Sequence, residues 1–193
     1  MWSDAWNSAP DYGPVAVPLI SVIGAVVSIR RHRGDPAAPS PGDTLLLWLL
    51  VGVAGVGGLV VTGSHVFAAD ATAEQIGFPA GNPFQFEVAM ANLAFAVLGL
   101  LCATRKGSFR TATAIGFSVF YLGDAVGHFV ELVRNDNYAP YNSGPILIVD
   151  VAVPVLVLLA LSAAHRHRTR QPIRTDHETT VDPNGAAAQQ EMR

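Results

Sequence analysis

Residues 44–68 read TLLLWLLVGVAGVGGLVVTGSHVFA, a run without a single Asp, Glu, Lys or Arg. At 1.5 Å of rise per residue, a helix of about 20 residues crosses the roughly 30 Å hydrocarbon layer of a bilayer. The run is long enough to cross and too apolar to face water. Comparable runs flank it at Tyr12–Ile29, Pro83–Ala103, Arg110–Val133 and Pro145–Ala164. Together they predict an all-α integral membrane bundle of about five transmembrane helices. The first run is the shortest and carries Pro14 and Pro18 near its start, where a helix tolerates proline.

Composition agrees. Of the 193 residues, 50% are hydrophobic and only 14% charged, with a mean hydropathy of +0.35. A soluble globular chain carries charge on about a quarter of its residues. The lone Cys102 excludes an intramolecular disulfide framework and reads as a small buried hydrophobe. The opening MWSDAWNSAPDYG has no Lys or Arg, so it lacks the basic start of a cleavable signal peptide and the first span is expected to be retained.

Orientation follows from the cations. Arg30, Arg31 and Arg33 follow the first run, Arg105, Lys106 and Arg110 join the third to the fourth, and five arginines lie beyond Ala164. Only Arg134 falls on the other side. The positive-inside rule then places the N-terminus outside and the C-terminus inside, in the inner (plasma) membrane if the chain is bacterial. Residues 1–165 form the expected transmembrane domain, and the polar stretch 166–193 an expected disordered cytoplasmic tail. The short basic clusters are juxtamembrane charge, poor evidence for nucleic acid, and no nucleic-acid partner is expected. The expected partners are the lipid bilayer and either further copies of the chain or a larger membrane complex. Asp4, Asp11, Asp70, Glu74 and Asp136 give the outer loops an acidic rim, which raises local cation concentration.

Gly52, Gly55 and Gly58 line one side of the second run, and Gly123 with Gly127 makes a GxxxG pair in the fourth. Small residues let helix axes approach closely in lipid. The glycine spacing does not match a dinucleotide loop and no strand precedes it. In GNPFQFE (81–87), Asn82 reads as a cap, Pro83 as the first helical residue and Gln85 as the reciprocal acceptor of a capping box. Asn142 or Ser143 is the candidate cap for the fifth span, and Pro154 should kink it.

The fourth run then poses a problem, because YLGDAVGHFVELVR (121–134) brings Asp124, His128 and Glu131 into lipid. At 100° per residue the three lie within about 60° of arc, with Tyr121 a turn below Asp124. Helical rise puts Asp124 about 12 Å below the outer surface and His128 about 6 Å, with Glu131 near the interface. It also puts His65 at the outer edge, Glu87 about 5 Å, Asp150 about 8 Å and Asn92 about 12 Å deep. Four helices thus bring polar groups to one level, while the inner halves hold almost no ionisable residue. An ionised side chain at mid-bilayer costs about 3 kcal/mol or more, so such groups are expected to face the bundle interior and to pair, bind an ion or carry protons.

Each residue also has a plain structural role: His65 can bond at a helix end, Glu87 can sit beside a helix's positive end, and Glu131 can be exposed. Asp124, His128 and Asp150 are harder to place this way because their depth denies them bulk water. Two histidines with up to four carboxylates form a ligand set suited to a divalent metal, Zn, Fe or Mn. Neither a HExxH helix nor paired ExxH motifs are present. Ser64 and His65 are helix neighbours pointing apart, without a nucleophile elbow. The expected site is therefore Asp124, His128, Glu87 and Asp150, with His65 and Glu131 as further candidates and Asn92 and Tyr121 behind them. No catalytic residue is assigned.

GNPFQFEVAMANLAFAVLGLL, GDAVGHFVE and NSGPILIVDVAVP together resemble a family of small bacterial multi-span inner-membrane proteins of uncharacterised function, over about His65 to Pro154. The resemblance implies a compact membrane fold with polar positions at Glu87, Asn92, Asp124, His128 and Asp150, and brings no activity. The leading expectation is a carboxylate/histidine site in the outer third that binds a divalent cation or small polar ligand, its catalytic version being a membrane metalloenzyme. The alternatives are a non-catalytic subunit with a structural polar network and a proton- or ion-coupled transporter.

Overall fold

A computed structural model of the chain describes residues 13–170. Among these residues there is no strand, and five helical segments are long and apolar enough to cross a membrane. The first, α1, is Gly13–Arg31. The second, Pro41–Phe67, is continuous but changes winding: α2 (Pro41–Leu49) passes into a π-helical stretch, Leu50–Gly57, and then into α3 (Gly58–Phe67). A short α4 (Ala69–Ile76) follows, then α5 (Phe84–Leu101) and α6 (Ser108–Asn135). The one-turn α7 (Pro140–Ser143) leads into α8 (Pro145–Arg170). The helix therefore runs on past 165, and the remainder of the expected tail lies outside the described residues.

The burial pattern is that of a lipid-embedded bundle. Leu19, Ile20, Leu59, Val60, Val119, Val126, Ile148 and Leu159 are all exposed on the helix surfaces. An apolar exterior of this extent is soluble only in hydrocarbon. The interior is built by Leu46, Leu49, Leu50, Val53 and Ala54 of the second span, Ala114 and Phe117 of α6, and Val153, Val157 and Ala160 of α8. α1 is peripheral, with only Ser21 and Ala25 buried.

Glycine lets these helices meet. A β-carbon on Gly99 of α5 would lie 2.5 Å from the backbone nitrogen of Gly55 and the carbonyl oxygen of Leu50, and one on Gly58 would lie 3.1 Å from the Ala96 β-carbon. The glycine side of the second span thus faces α5 through backbone-to-backbone contact, with Gly52 against Ser21 of α1. A Gly99→Val variant is expected to lose about 2 kcal/mol, since backbone rather than a flexible side chain must move. Thermal unfolding in detergent measures it, with Gly63→Val, which has open space around it, as the neutral comparison. The GxxxG pair behaves differently. Gly123 and Gly127 are exposed with nothing within 4 Å of an added β-carbon, so they bring no helix of this chain close. The inward face of α6 is taken by Phe117, Tyr121, Ala125 and the polar stripe instead.

One end of the bundle carries the cations. Ser40 caps α2 through Asp43 N (3.1 Å) and donates to Asp43 Oδ2 (2.7 Å), while Arg168 at the end of α8 pairs with Asp43. Arg110 is buried at the start of α6, its Nε donating to the carbonyls of Cys102 (2.9 Å) and Arg105 (3.1 Å). The opposite end is closed by the segment between α6 and α8. There Asn137 Nδ2 donates to the Ile76 carbonyl at 2.9 Å, against Gly77, whose φ of +89° and lack of a β-carbon leave room for the Asn137 amide.

Candidate functional site

Beneath that closing segment the inward stripe of α6 meets α8. His128 Nε2 stands 3.7 Å from Asp150 Oδ2, with the Asp150 side chain only 4% exposed and the His128 ring 18%. Asp124, half-buried one turn below His128, lies within electrostatic range of both His128 and Asp150. Tyr121 is within range of both acids and stacks on Phe117, centroid to centroid 4.3 Å. Its hydroxyl donates to Asn92 Oδ1 at 3.2 Å, and Asn92 Nδ2 donates to the Val88 carbonyl at 3.0 Å. Three spans therefore contribute: α5 through Asn92, α6 through Tyr121, Asp124 and His128, and α8 through Asp150.

Asn142 organises the centre. It is fully buried in α7, and its Nδ2 donates to the carbonyls of Asn137 (2.8 Å) and His128 (3.2 Å). Both partners are acceptors, so the amide is held with Oδ1 toward His128 Nδ1, 2.8 Å away. That nitrogen must carry a hydrogen. In a neutral ring Nε2 is then a lone pair aimed at the Asp150 carboxylate. With the ring neutral and Asp150 ionised, two electron-rich atoms face each other across 3.7 Å, and neither Asp124 nor Asp150 accepts a hydrogen bond from any described residue. A carboxylate at this depth without donors is costly unless a cation sits against it.

The other expected site residues lie elsewhere. Glu87 is exposed and does not join Asp124, His128 and Asp150. The inward face of α5 runs through Gln85, Ala89 and Asn92, spaced four and three apart, and Glu87 falls between those positions. Gln85 is no capping-box acceptor: Asn82 Oδ1 takes the Phe84 N–H (2.9 Å), and Gln85, buried, meets His65 Nδ1 through its Oε1 at 2.5 Å. His65 is thus a partner of α5 rather than of the acids. Beside it Thr62 Oγ1 reaches the Gly58 (2.7 Å) and Ala89 (3.3 Å) carbonyls. Glu131 accepts from Asn135 Nδ2 through both oxygens at 2.9 Å. Among the described residues no three His, Cys, Asp or Glu side chains converge to hold a metal ion. Of the six candidates read from the sequence, only His128 and Asp150 approach each other directly, with Asp124 within electrostatic range of both.

Asn142 was expected only as a helix cap. Its true role depends on the fold-back of α7 over α6, which residue spacing along the chain does not encode. The model of a family of unknown function, DUF6790, matches residues 12–170, and the chain belongs to that family. Comparison with curated proteins and with solved structures found no match.

Proposed function

We propose that this member of DUF6790, a multi-pass membrane protein, works through a cation held at the Asp124–His128–Asp150 centre, near the face opposite its arginine clusters. The observation that carries this reading is the approach of His128 Nε2 to the nearly buried Asp150 carboxylate, 3.7 Å away, with His128 Nδ1 committed to Asn142 Oδ1. With both acids ionised, even a protonated His128 leaves the centre one positive charge short. A proton shared across the gap removes the clash. A divalent ion does so more completely, because it neutralises both acids. Two ligands of one tetrahedral ion, each about 2.1 Å from it, stand about 3.4 Å apart, close to the spacing here. A histidine whose other nitrogen donates to a fixed acceptor is also the usual support for metal ligation. Asp124, within electrostatic range of both, is the candidate for a third ligand, with Zn, Mn or Fe as the ions that suit this donor set.

The arginine-bearing end is assigned to the cytoplasm by the positive-inside rule, which puts the centre toward the outer face, the periplasmic one if the membrane is a bacterial inner one. Transport through the bundle is the weaker reading, since the inner halves of the spans offer almost no ionisable residue to continue a path. A purely structural role is favoured by one observation, the complete burial and threefold bonding of Asn142.

The test is elemental analysis of detergent-purified protein after exposure to Zn, Mn and Fe(II) in turn, beside the Asp150→Asn and His128→Gln variants, with His128 ring nitrogen shifts read by NMR. Near-stoichiometric metal in the native protein alone, or a ring signal that reports a proton shared with Asp150 and changes in Asp150→Asn, is expected. No bound metal together with a ring signal indifferent to Asp150→Asn would overturn the reading.

A further inference from the structure

At the opposite end of the molecule, a groove of about 340 Å³ lies between the first turn of α6 and the inner end of α8, lined by Thr111, Leu161, Ser162, His165 and Arg166. His165 and Arg166 lie three and four residues beyond Ser162 on α8 and so share its helix face. Thr111 faces them from α6.

The charges at this end are not equivalent. Arg168 is taken by Asp43, and Asp43 in turn by the Ser40 cap. Arg110 is turned inward onto two backbone carbonyls. Arg166 has no acidic partner among the described residues, and no Asp or Glu lines the groove. Thr111 Oγ1 donates to the Gly107 carbonyl at 3.3 Å, so the Ser162 hydroxyl, an imidazole and a guanidinium open on one hollow, a donor set that suits a phosphate oxygen cluster. Leu161, one turn toward the bundle centre, gives the same hollow an apolar floor. A ligand that fits both ends carries its phosphate at the level of Arg166 and hydrocarbon below it.

We propose that this groove holds the phosphate of an anionic phospholipid headgroup, with Arg166 as the cation, the Ser162 and His165 side chains as donors and Leu161 against the lipid's apolar part. The site is separate from the Asp124–His128–Asp150 centre and does not depend on its role. It distinguishes one lipid position from the general attraction that basic clusters exert on a negatively charged leaflet.

Native mass spectrometry of the full chain, released from detergent after incubation with phosphatidylglycerol, diacylglycerol or inorganic phosphate, tests it. Phosphatidylglycerol is expected to stay bound and diacylglycerol not. Arg166→Gln should lower retention about fivefold, and Ser162→Ala should lower it as well, while Arg33→Gln, at the same end but away from the groove, leaves it unchanged. Equal losses in Arg33→Gln and Arg166→Gln would show diffuse charge and overturn the site. Equal retention of diacylglycerol would overturn the phosphate. Displacement of the lipid by millimolar inorganic phosphate would overturn the lipid as its source.

Discussion

Asn142→Ala is expected to lower stability by about 3 kcal/mol, read as a drop of roughly 6–12 °C in the thermal midpoint of the detergent-solubilised protein. The magnitude comes from what is left behind. The truncated side chain strips His128 Nδ1 of its acceptor and the Asn137 carbonyl of a donor, in a place the residue had sealed completely. Buried polar groups left without partners cost about 1–3 kcal/mol each, far more than the bonds contribute when made. Asn142→Asp distinguishes the roles of the two ends of the amide. It keeps an oxygen toward His128 but turns a second oxygen toward two carbonyls, and should be at least as damaging. Asn135→Ala is the matched comparison, since Asn135 is exposed and bonds only Glu131; a change within about 0.5 kcal/mol is expected there. A small effect at Asn142 would mean that the His128 ring is not fixed by α7.

The contrast between Asn142 and the helical spans shows which parts of this molecule its sequence discloses. Span lengths follow from apolar run length, and the described helices begin and end close to the expected residues, as with Phe84–Leu101 inside the expected Pro83–Ala103. Asp124, His128 and Asp150 were legible because depth in lipid is itself information: each residue is expensive there alone, so each had to face inward. Glu87 and Glu131 were not, because near an interface water makes an outward carboxylate cheap and depth no longer constrains direction. Rotation of α5 settled Glu87, and that rotation was fixed by Gln85, Ala89 and Asn92 packing inward. The π-helical stretch Leu50–Gly57 was also unread, since an apolar run shows no periodicity change when its winding widens. Gly123 and Gly127 illustrate the converse: a pattern that permits close packing does not require it, and here the polar stripe of α6 claims the inward face.

Asp150→Asn separates a working centre from a structural one, because the two make opposite predictions for stability. The Asp150 carboxylate is nearly sealed, accepts no hydrogen bond from a described residue and stands 3.7 Å from His128 Nε2, a lone pair whenever the ring is neutral. If the centre exists to hold a cation, the resting protein carries this arrangement at a cost to stability, as functional sites commonly do. The isosteric amide removes the charge and offers an N–H toward Nε2. Stability of the cation-free protein should then rise by about 1–3 kcal/mol, while cation affinity falls by at least about 100-fold. His128→Gln should likewise abolish binding, but without the gain, because glutamine returns an amide to the Asn142 acceptor less well placed than the ring nitrogen. The paired measurement is a thermal midpoint with and without added Zn or Mn for each variant. A native protein stabilised by the metal beside an Asp150→Asn variant that is intrinsically more stable and indifferent to it fits a cation site. If Asp150→Asn instead unfolds earlier than the native protein under every condition, the carboxylate is a structural partner of His128, and the centre holds helices together rather than a cation.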